Sequence, residues 1–485
     1  MKNLKKIWEY VNGVLMEFRT CFSREATFKW YIITVVGFML RSDHLGVTSI
    51  IRELGFNSDL AYQNLLHFFH STAWKLADLQ DKWLQIVQES NTIYEVFGKP
   101  LLIGDGQKKP KEGKHMPAVK KMHQESGNAS KPEYTMGHLF GGLGIVIGNG
   151  IKQFCTPISM TIQDGNHPIL EWMGSEYAYD SHVTFLVRQG CKTAAKMAKE
   201  CYLLMDRYFL SVPALIAMAE EAEKAGGSFV TLITRAKSDC VAYRKPGEYS
   251  GRGRPRKKGK EIHMFEQFYK QAAAFVDTEI ELYGKPKRVR YYCTNLLWGR
   301  AWYQELRFVL TEMDGVKSIV ISTDLLLQPE QIIKLYCYRF KIEVFFRAFS
   351  QCIAGLAYHF WNSHIPKLNP FEPAKAAAGK LAKITDKNVR DSIISTYRAT
   401  EGFVFICCIA IGILQLCALK FYQDINRSPV RWLRTYTNII PSEESTQECI
   451  RKNFGGFFYN CQNLAIAEII IEKREEFIHY SENIA

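Results

Sequence analysis

The three residues of this chain best suited to chemistry are acidic and lie far apart in the sequence. Asp105 closes the run LLIGD and Asp206 closes CYLLMD, so each is expected at the carboxyl end of a strand, where α/β sheets place ligand-binding groups. Taken singly, either could be an ordinary turn residue. Glu343 lies in LYCYRFKIEVFFRAFSQ, residues 335–351. There Tyr336, Arg339, Glu343, Arg347 and Ser350 follow one another at spacings of three, four, four and three, which puts them on one stripe of a helix turning about 100° per residue. Leu335, Ile342, Phe345, Phe346 and Phe349 flank the stripe on one side, and Phe340, Val344 and Ala348 on the other. Such a helix is expected to be largely buried, and a carboxylate on it needs a cation or a partner. The plainest partner is Arg339 or Arg347, in an ion pair along a solvated strip.

Brought together, Asp105, Asp206 and Glu343 would repel one another unless cations stood among them. Their oxygens are hard donors suited to Mg²⁺ or Mn²⁺. Two such ions about 4 Å apart could hold the attacking and the leaving oxygen of an in-line phosphoryl displacement. The lysines after Asp105 suit that chemistry, because Lys108, Lys109, Lys111, Lys114, Lys120 and Lys121 could neutralise phosphates beside the reacting bond. Other acids carry simpler expectations: Asp164 a turn, Asp324 the cap of the helix bearing Glu343.

The elements that must position these groups follow from periodicity. Residues 1–95 read as a helical, DNA-binding region. Within it the stretch 47–74 is a candidate helix-turn-helix around Gly55, with His67 and His70 as partly buried aromatics. From Lys99 onward, apolar runs predict strands at 101–105, 138–148, 153–163, 201–206, 228–234 and 318–323. Helices are expected at about 168–200 and 213–225. The fold class is α/β: a core in two parts, 96–235 and 318–425, around a mostly β insertion at 236–317, followed by a helical region at 426–485. YRKPGEYSGRGRPRKKGKE (243–261) reads as an exposed basic loop in which Arg252, Arg254 and Arg256 touch nucleic-acid backbone.

Composition sets the outer bounds. With 485 residues, 47% of them apolar, the chain is long and apolar enough for a sizeable core. Its 62 Lys+Arg against 49 Asp+Glu, a formal charge of +13, favour a polyanionic partner, nucleic acid first and an anionic membrane surface second. The 13 cysteines include no C-x-x-C pair, so neither a zinc ribbon nor a disulfide framework is expected, and reduced thiols point to the cytoplasm. Glu9 and Glu17 interrupt any secretory signal. EGFVFICCIAIGILQLCALKFY (401–422) approaches the lower length of a membrane span. Gln415, Gly412 and the small residues around them suit a close-packed central helix, and no membrane association is expected.

These blocks resemble the insertion-sequence DDE transposases of the cut-and-paste group, whose signature is Tyr-x2-Arg-x3-Glu-x6-Lys. Tyr336, Arg339 and Glu343 match its spacing, while Ser350 occupies the lysine position. The stretches 105–142, 205–209 and 322–343 also look like the family's blocks around its acids. The resemblance implies an RNase H-like catalytic core with a β insertion before the last acidic helix. It implies that Asp105, Asp206 and Glu343 hold two Mg²⁺ or Mn²⁺ ions, with Tyr336 and Arg339 on the DNA phosphate near the cut. Arg347, one turn along the stripe, could stand in for the lost lysine. Trp298 or Trp302 would hold a flipped base, although either could simply fill the insertion's core. The partners implied are double-stranded element ends and target DNA, bound by a homodimer near the nucleoid, with no small-molecule substrate. Two other readings stay open: a nuclease of the same fold that cuts without joining, and a basic DNA-binding or membrane-associated protein.

Overall fold

The computed structural model describes residues 2–56, 58–111, 113–124, 133–249, 251, 254–367, 369, 372–373, 376–425 and 438–482. Arg252 lies outside them.

Nine strands carry the architecture that matters for the acids: β1 (Lys99–Pro110), β2 (Lys120–His123), β3 (Tyr134–Gly148), β4 (Gln153–Ile162), β5 (Cys201–Met205), β6 (Val230–Arg235), β7 (Lys285–Arg300), β8 (Trp302–Met313) and β9 (Val316–Ser322). The helices that flank them are α1 (Glu25–Leu40), α2 (Asp59–His70), α3 (His182–Met197), α4 (Val212–Lys224), α5 (Pro329–Cys337), α6 (Phe340–Gln351), α7 (Lys387–Lys420), α8 (Glu443–Lys452) and α9 (Ala465–Glu482).

All five residues of β5, CYLLM, are buried, as expected of a parallel strand covered on both faces. β5 pairs in parallel with β1 (Leu102 beside Leu203) and with β6 (Cys201 beside Val230). β3 runs antiparallel to β1 and to β4. The central order is therefore β4-β3-β1-β5-β6. β6 then pairs antiparallel with β9, and β8 and β7 extend the same sheet outward. The region expected as a β insertion thus continues the sheet, through a long hairpin of 16 and 12 residues.

α3 packs on one face of the central strands with α4 beside it, while α6 and α7 cover the other. α7 begins well before the apolar run that signalled it, at an Asp386 cap whose Oδ1 accepts the Val389 N–H at 3.1 Å. Among the described residues it is the one helix apolar and long enough to cross a membrane, yet nearly all of that stretch is buried inside the fold. α1, α2 and α8 pack around it, and its other side lies on β4. Gln415 shows why a polar residue fits there: it accepts from Thr156 Oγ1 at 2.7 Å and donates to the Cys155 carbonyl and Glu443 Oε1 at 3.3 and 3.0 Å. Both ends of its amide are thus used.

Several local expectations need correction. The helical stretch about 168–200 is two helices, His167–Trp172 and α3. His67 and His70 are exposed rather than partly buried, and His70 Nδ1 meets Ser395 Oγ at 2.9 Å. Asp324 does not cap α5; it accepts the Leu326 N–H in its own turn, and Gln328 is the cap, its N–H bonded to Gln331 Oε1 at 3.1 Å. All 13 cysteines are free thiols.

Candidate active site

Asp105 lies within β1, not at its end. The strand continues because β3 keeps pairing with it as far as Pro110 beside Gly137. Asp206 immediately follows β5, whose last paired residue, Met205, stands beside Gly104. One step on, the two aspartates occupy neighbouring parallel strands, which lie about 4.8 Å apart. Asp206 is held at the strand end by two hydrogen bonds: its Oδ1 accepts the Arg207 N–H at 2.6 Å, and its carbonyl accepts Thr234 Oγ1 at 2.8 Å.

The helix bearing Glu343 is broken where the sequence suggested continuity. α5 ends at Cys337 and α6 begins at Phe340. Between them the bonds tighten to three-residue closures, Tyr338 N–H to Leu335 O and Arg339 N–H to Tyr336 O, as in a 3₁₀ turn. Tyr336 therefore sits on α5 and Glu343 on α6, with Arg339 at the joint. The expected burial on both flanks also fails on one side, since Phe340 and Val344 are 46% and 40% exposed. Ile342, Phe345, Phe346 and Phe349 form the buried flank that docks α6 on the sheet.

A glycine sets the depth of that docking. Gly142 of β3 pairs with Asp105, and a Cβ placed on it would stand 2.9 Å from the Phe346 ring. The ring lies one turn after Glu343, so this close approach brings Glu343 to Asp105. Gly142→Ala should overpack the contact, lowering stability by about 2 kcal/mol and reducing any reaction that needs the acids together. Thermal melts beside an activity assay would read both effects.

Arg339 joins two of the acids. Its Nη1 donates to Asp105 Oδ2 at 3.2 Å and its Nη2 to Glu343 Oε1. The Asp105 Oδ1 accepts the Gly106 N–H at 2.8 Å. Burial pushes the Asp105 carboxyl up to about 6; Arg339 and the Gly106 N–H hold it down, while like charge on Asp206 and Glu343 drives it up. Like charge from both other acids thus reaches Asp105, which neither an isolated ion pair nor a lone turn residue would show. Burial also pushes the Tyr336 hydroxyl up to about 12, against Arg339 and Arg235, with Asp206 adding to the rise. That hydroxyl is buried and has no hydrogen bond of full geometry.

Arg235, at the end of β6, is a member of this cluster that sequence reasoning missed. It sits in TLITRAKSD, where nothing in spacing or type sets it apart. Its Nε is likewise buried without a partner.

The other expected contacts are spread more widely. Lys108 and Lys109 ride on β1, with Lys108 Nζ donating to the His123 carbonyl at 2.9 Å. Lys120 is paired with Asp164, whose Oδ1 also closes its own turn on Gly165. Lys121 lies over the Tyr134 ring at 4.7 Å. Arg347 is exposed beyond Glu343 and Ser350 half-buried at the far end of α6. Arg254 and Arg256 are exposed. Trp298 and Trp302 are half-buried against the core, with Trp298 near the Cys240 thiol. The β7–β8 register pairs Trp298 with Gln304 and Arg300 with Trp302, which puts both tryptophans on one face of the hairpin.

Among the described residues, no three His, Cys, Asp or Glu side chains already form a cation cage; the Arg339 guanidinium stands between Asp105 and Glu343 instead. The donor chemistry nonetheless fits a hard dication, because Asp105, Asp206 and Glu343 offer hard oxygen donors and such an ion would offset the burial and like charge that raise Asp105. No protein-family model, curated protein or solved structure matches the chain.

Proposed function

We propose that this chain is a DDE-type transposase that cuts at the ends of its own element and joins the 3′-hydroxyls to target DNA. The observation that carries the reading is Asp105 joined through Arg339 to Glu343, with Asp206 on the neighbouring parallel strand. The order β4-β3-β1-β5-β6, antiparallel on one side and parallel on the other, supports an RNase H-like core. The net charge of +13 suits DNA.

On this reading Asp105, Asp206 and Glu343 hold the Mg²⁺ or Mn²⁺ ions, which when bound supply charge stabilisation to the phosphoryl displacement. The side chains do the rest. Cations would release Arg339 from its two carboxylates and leave its planar fork for a phosphate. Tyr336 offers an unused hydroxyl donor beside it. Water and then a 3′-hydroxyl are the nucleophiles, so no covalent protein–DNA intermediate forms. Lys108, Lys109, Lys121, Arg347, Arg254 and Arg256 serve as backbone contacts, and Trp298 and Trp302 as stacking rings. Two protomers hold the two ends.

The test is strand transfer with pre-cut element ends, Mg²⁺ and plasmid target. Joined products are expected. Nicking of uncut ends without any joining would instead assign a nuclease of the same fold.

A further inference from the structure

β1 and α6 lie side by side, and a second polar feature begins where the acids end. At one end Asp105 and Glu343 share Arg339. At the other, Lys109 and Ser350 line one cavity of about 700 Å³. From Asp105 to Lys109 the strand advances about 13 Å, and from Glu343 to Ser350 the helix advances about 10 Å. The cavity is therefore the next stop along the same track.

Its lining is basic among the described residues: Lys109, Lys111, Lys114, His44 and His359 stand around it with Trp361, and no described carboxylate lines it. Lys111 is committed to structure, donating to the Leu356 and Tyr358 carbonyls at 3.0 and 2.7 Å. Two further bonds tie the turn to the segment bearing the tryptophan: Asn362 N–H to His115 O at 2.9 Å, and His115 Nδ1 with Ile365 O at 2.7 Å. Lys109 and Lys114 make no ion pair among the described residues. Trp361 is 68% exposed, a large ring open to solvent at the cavity's edge.

Unpaired lysines beside an exposed aromatic ring in a concave site are what an unpaired nucleic-acid strand requires, since phosphates take the charge and bases stack on the ring. The volume matches sites that take drug-sized ligands, about 300–1,000 Å³, enough for a short stretch of single strand. We propose that this cavity holds unpaired DNA leaving the carboxylate cluster, with phosphates on Lys109 and Lys114 and a base stacked on Trp361. The direction of that strand rests on the transposase reading; the binding itself does not.

The experiment compares binding of blunt and single-stranded-tailed duplexes to the full chain by fluorescence anisotropy without divalent ions. Trp361→Ala should weaken the tailed duplex by about 10-fold or more and leave the blunt one unchanged, while Trp361→Phe, which keeps a ring, should recover most of the loss. Lys109→Ala with Lys114→Ala should flatten the salt dependence for tailed DNA by about 1.4 in log–log slope. Among the described residues these side chains make no hydrogen bond or ion pair, so wild-type melting temperatures are expected. Tailed binding unchanged in both variants would overturn the proposal, as would a Trp361→Ala loss equal for tailed and blunt DNA. Tail-dependent binding in a protein that neither cuts nor joins would leave this site standing and remove the transposase reading; the opposite pattern would do the reverse.

Discussion

Glu343→Gln should lower Mg²⁺-dependent cleavage of element ends by about 10³-fold or more, with end binding within about twofold of the native protein. The magnitude follows from the several kcal/mol of charge stabilisation that a metal supplies to phosphoryl transfer. Gln keeps the shape and the contact with Arg339 but loses the charge that an ion requires. Asp105→Asn and Asp206→Asn should do the same, and their double combinations should cost little more, because the acids act as a unit. Binding should survive because the charge that attracts DNA lies in the lysines and arginines. Cleavage retained in Glu343→Gln, measured with labelled ends across a Mg²⁺ series, would reject the assignment.

Asp105→Asn should also make the metal-free protein more stable, by about 3 kcal/mol at pH 7.5. The Asp105 carboxyl is raised from its ordinary range to about 6, so the fold prefers it protonated. Its stabilising effect is complete below about pH 4, near the unfolded value, and is lost as pH rises through about 6. Above that the native protein carries an ionised group it disfavours, and the variant does not. The difference between the two should vanish at low pH and reach its full size near neutrality. Glu401 titrates in the same direction, pushed by burial up to about 7 despite bonds from the Ile162 N–H and the Tyr397 hydroxyl. Both proteins share it, so the difference isolates Asp105. Urea unfolding in EDTA over a pH series measures this, and Mg²⁺ should stabilise the native protein while leaving the variant unmoved. An Asp105→Asn variant less stable than the native chain at pH 7.5 would mean that the Arg339 pair outweighs the cost of burial and like charge.

The acids were legible because apolar runs such as LLIGD and CYLLMD encode strands locally, and a charged residue at the end of such a run stands out. The stripe through Glu343 was legible for the same reason, as a helical spacing. What a spacing cannot show is depth. The exposed Phe340 and Val344, the break at Arg339 and the docking of Phe346 on Gly142 all depend on which surface the helix meets. The continuation of β1 past Asp105 was hidden because GQKKP lacks strand character; its pairing is supplied by the glycine-rich β3 across from it. Arg235 was hidden because its meaning comes from Tyr336, a residue remote in sequence. The early start of α7 at Asp386 was masked by polar residues that precede its apolar run.

The measurement closest to the central claim is anomalous diffraction from crystals of the protein with an element end and Mn²⁺. Two Mn²⁺ peaks shared among the carboxylates of Asp105, Asp206 and Glu343, with Arg339 turned away from them onto a phosphate, are the expected result. Mn²⁺ bound elsewhere, with Arg339 still joining Asp105 to Glu343 beside an ordered DNA end, would contradict it.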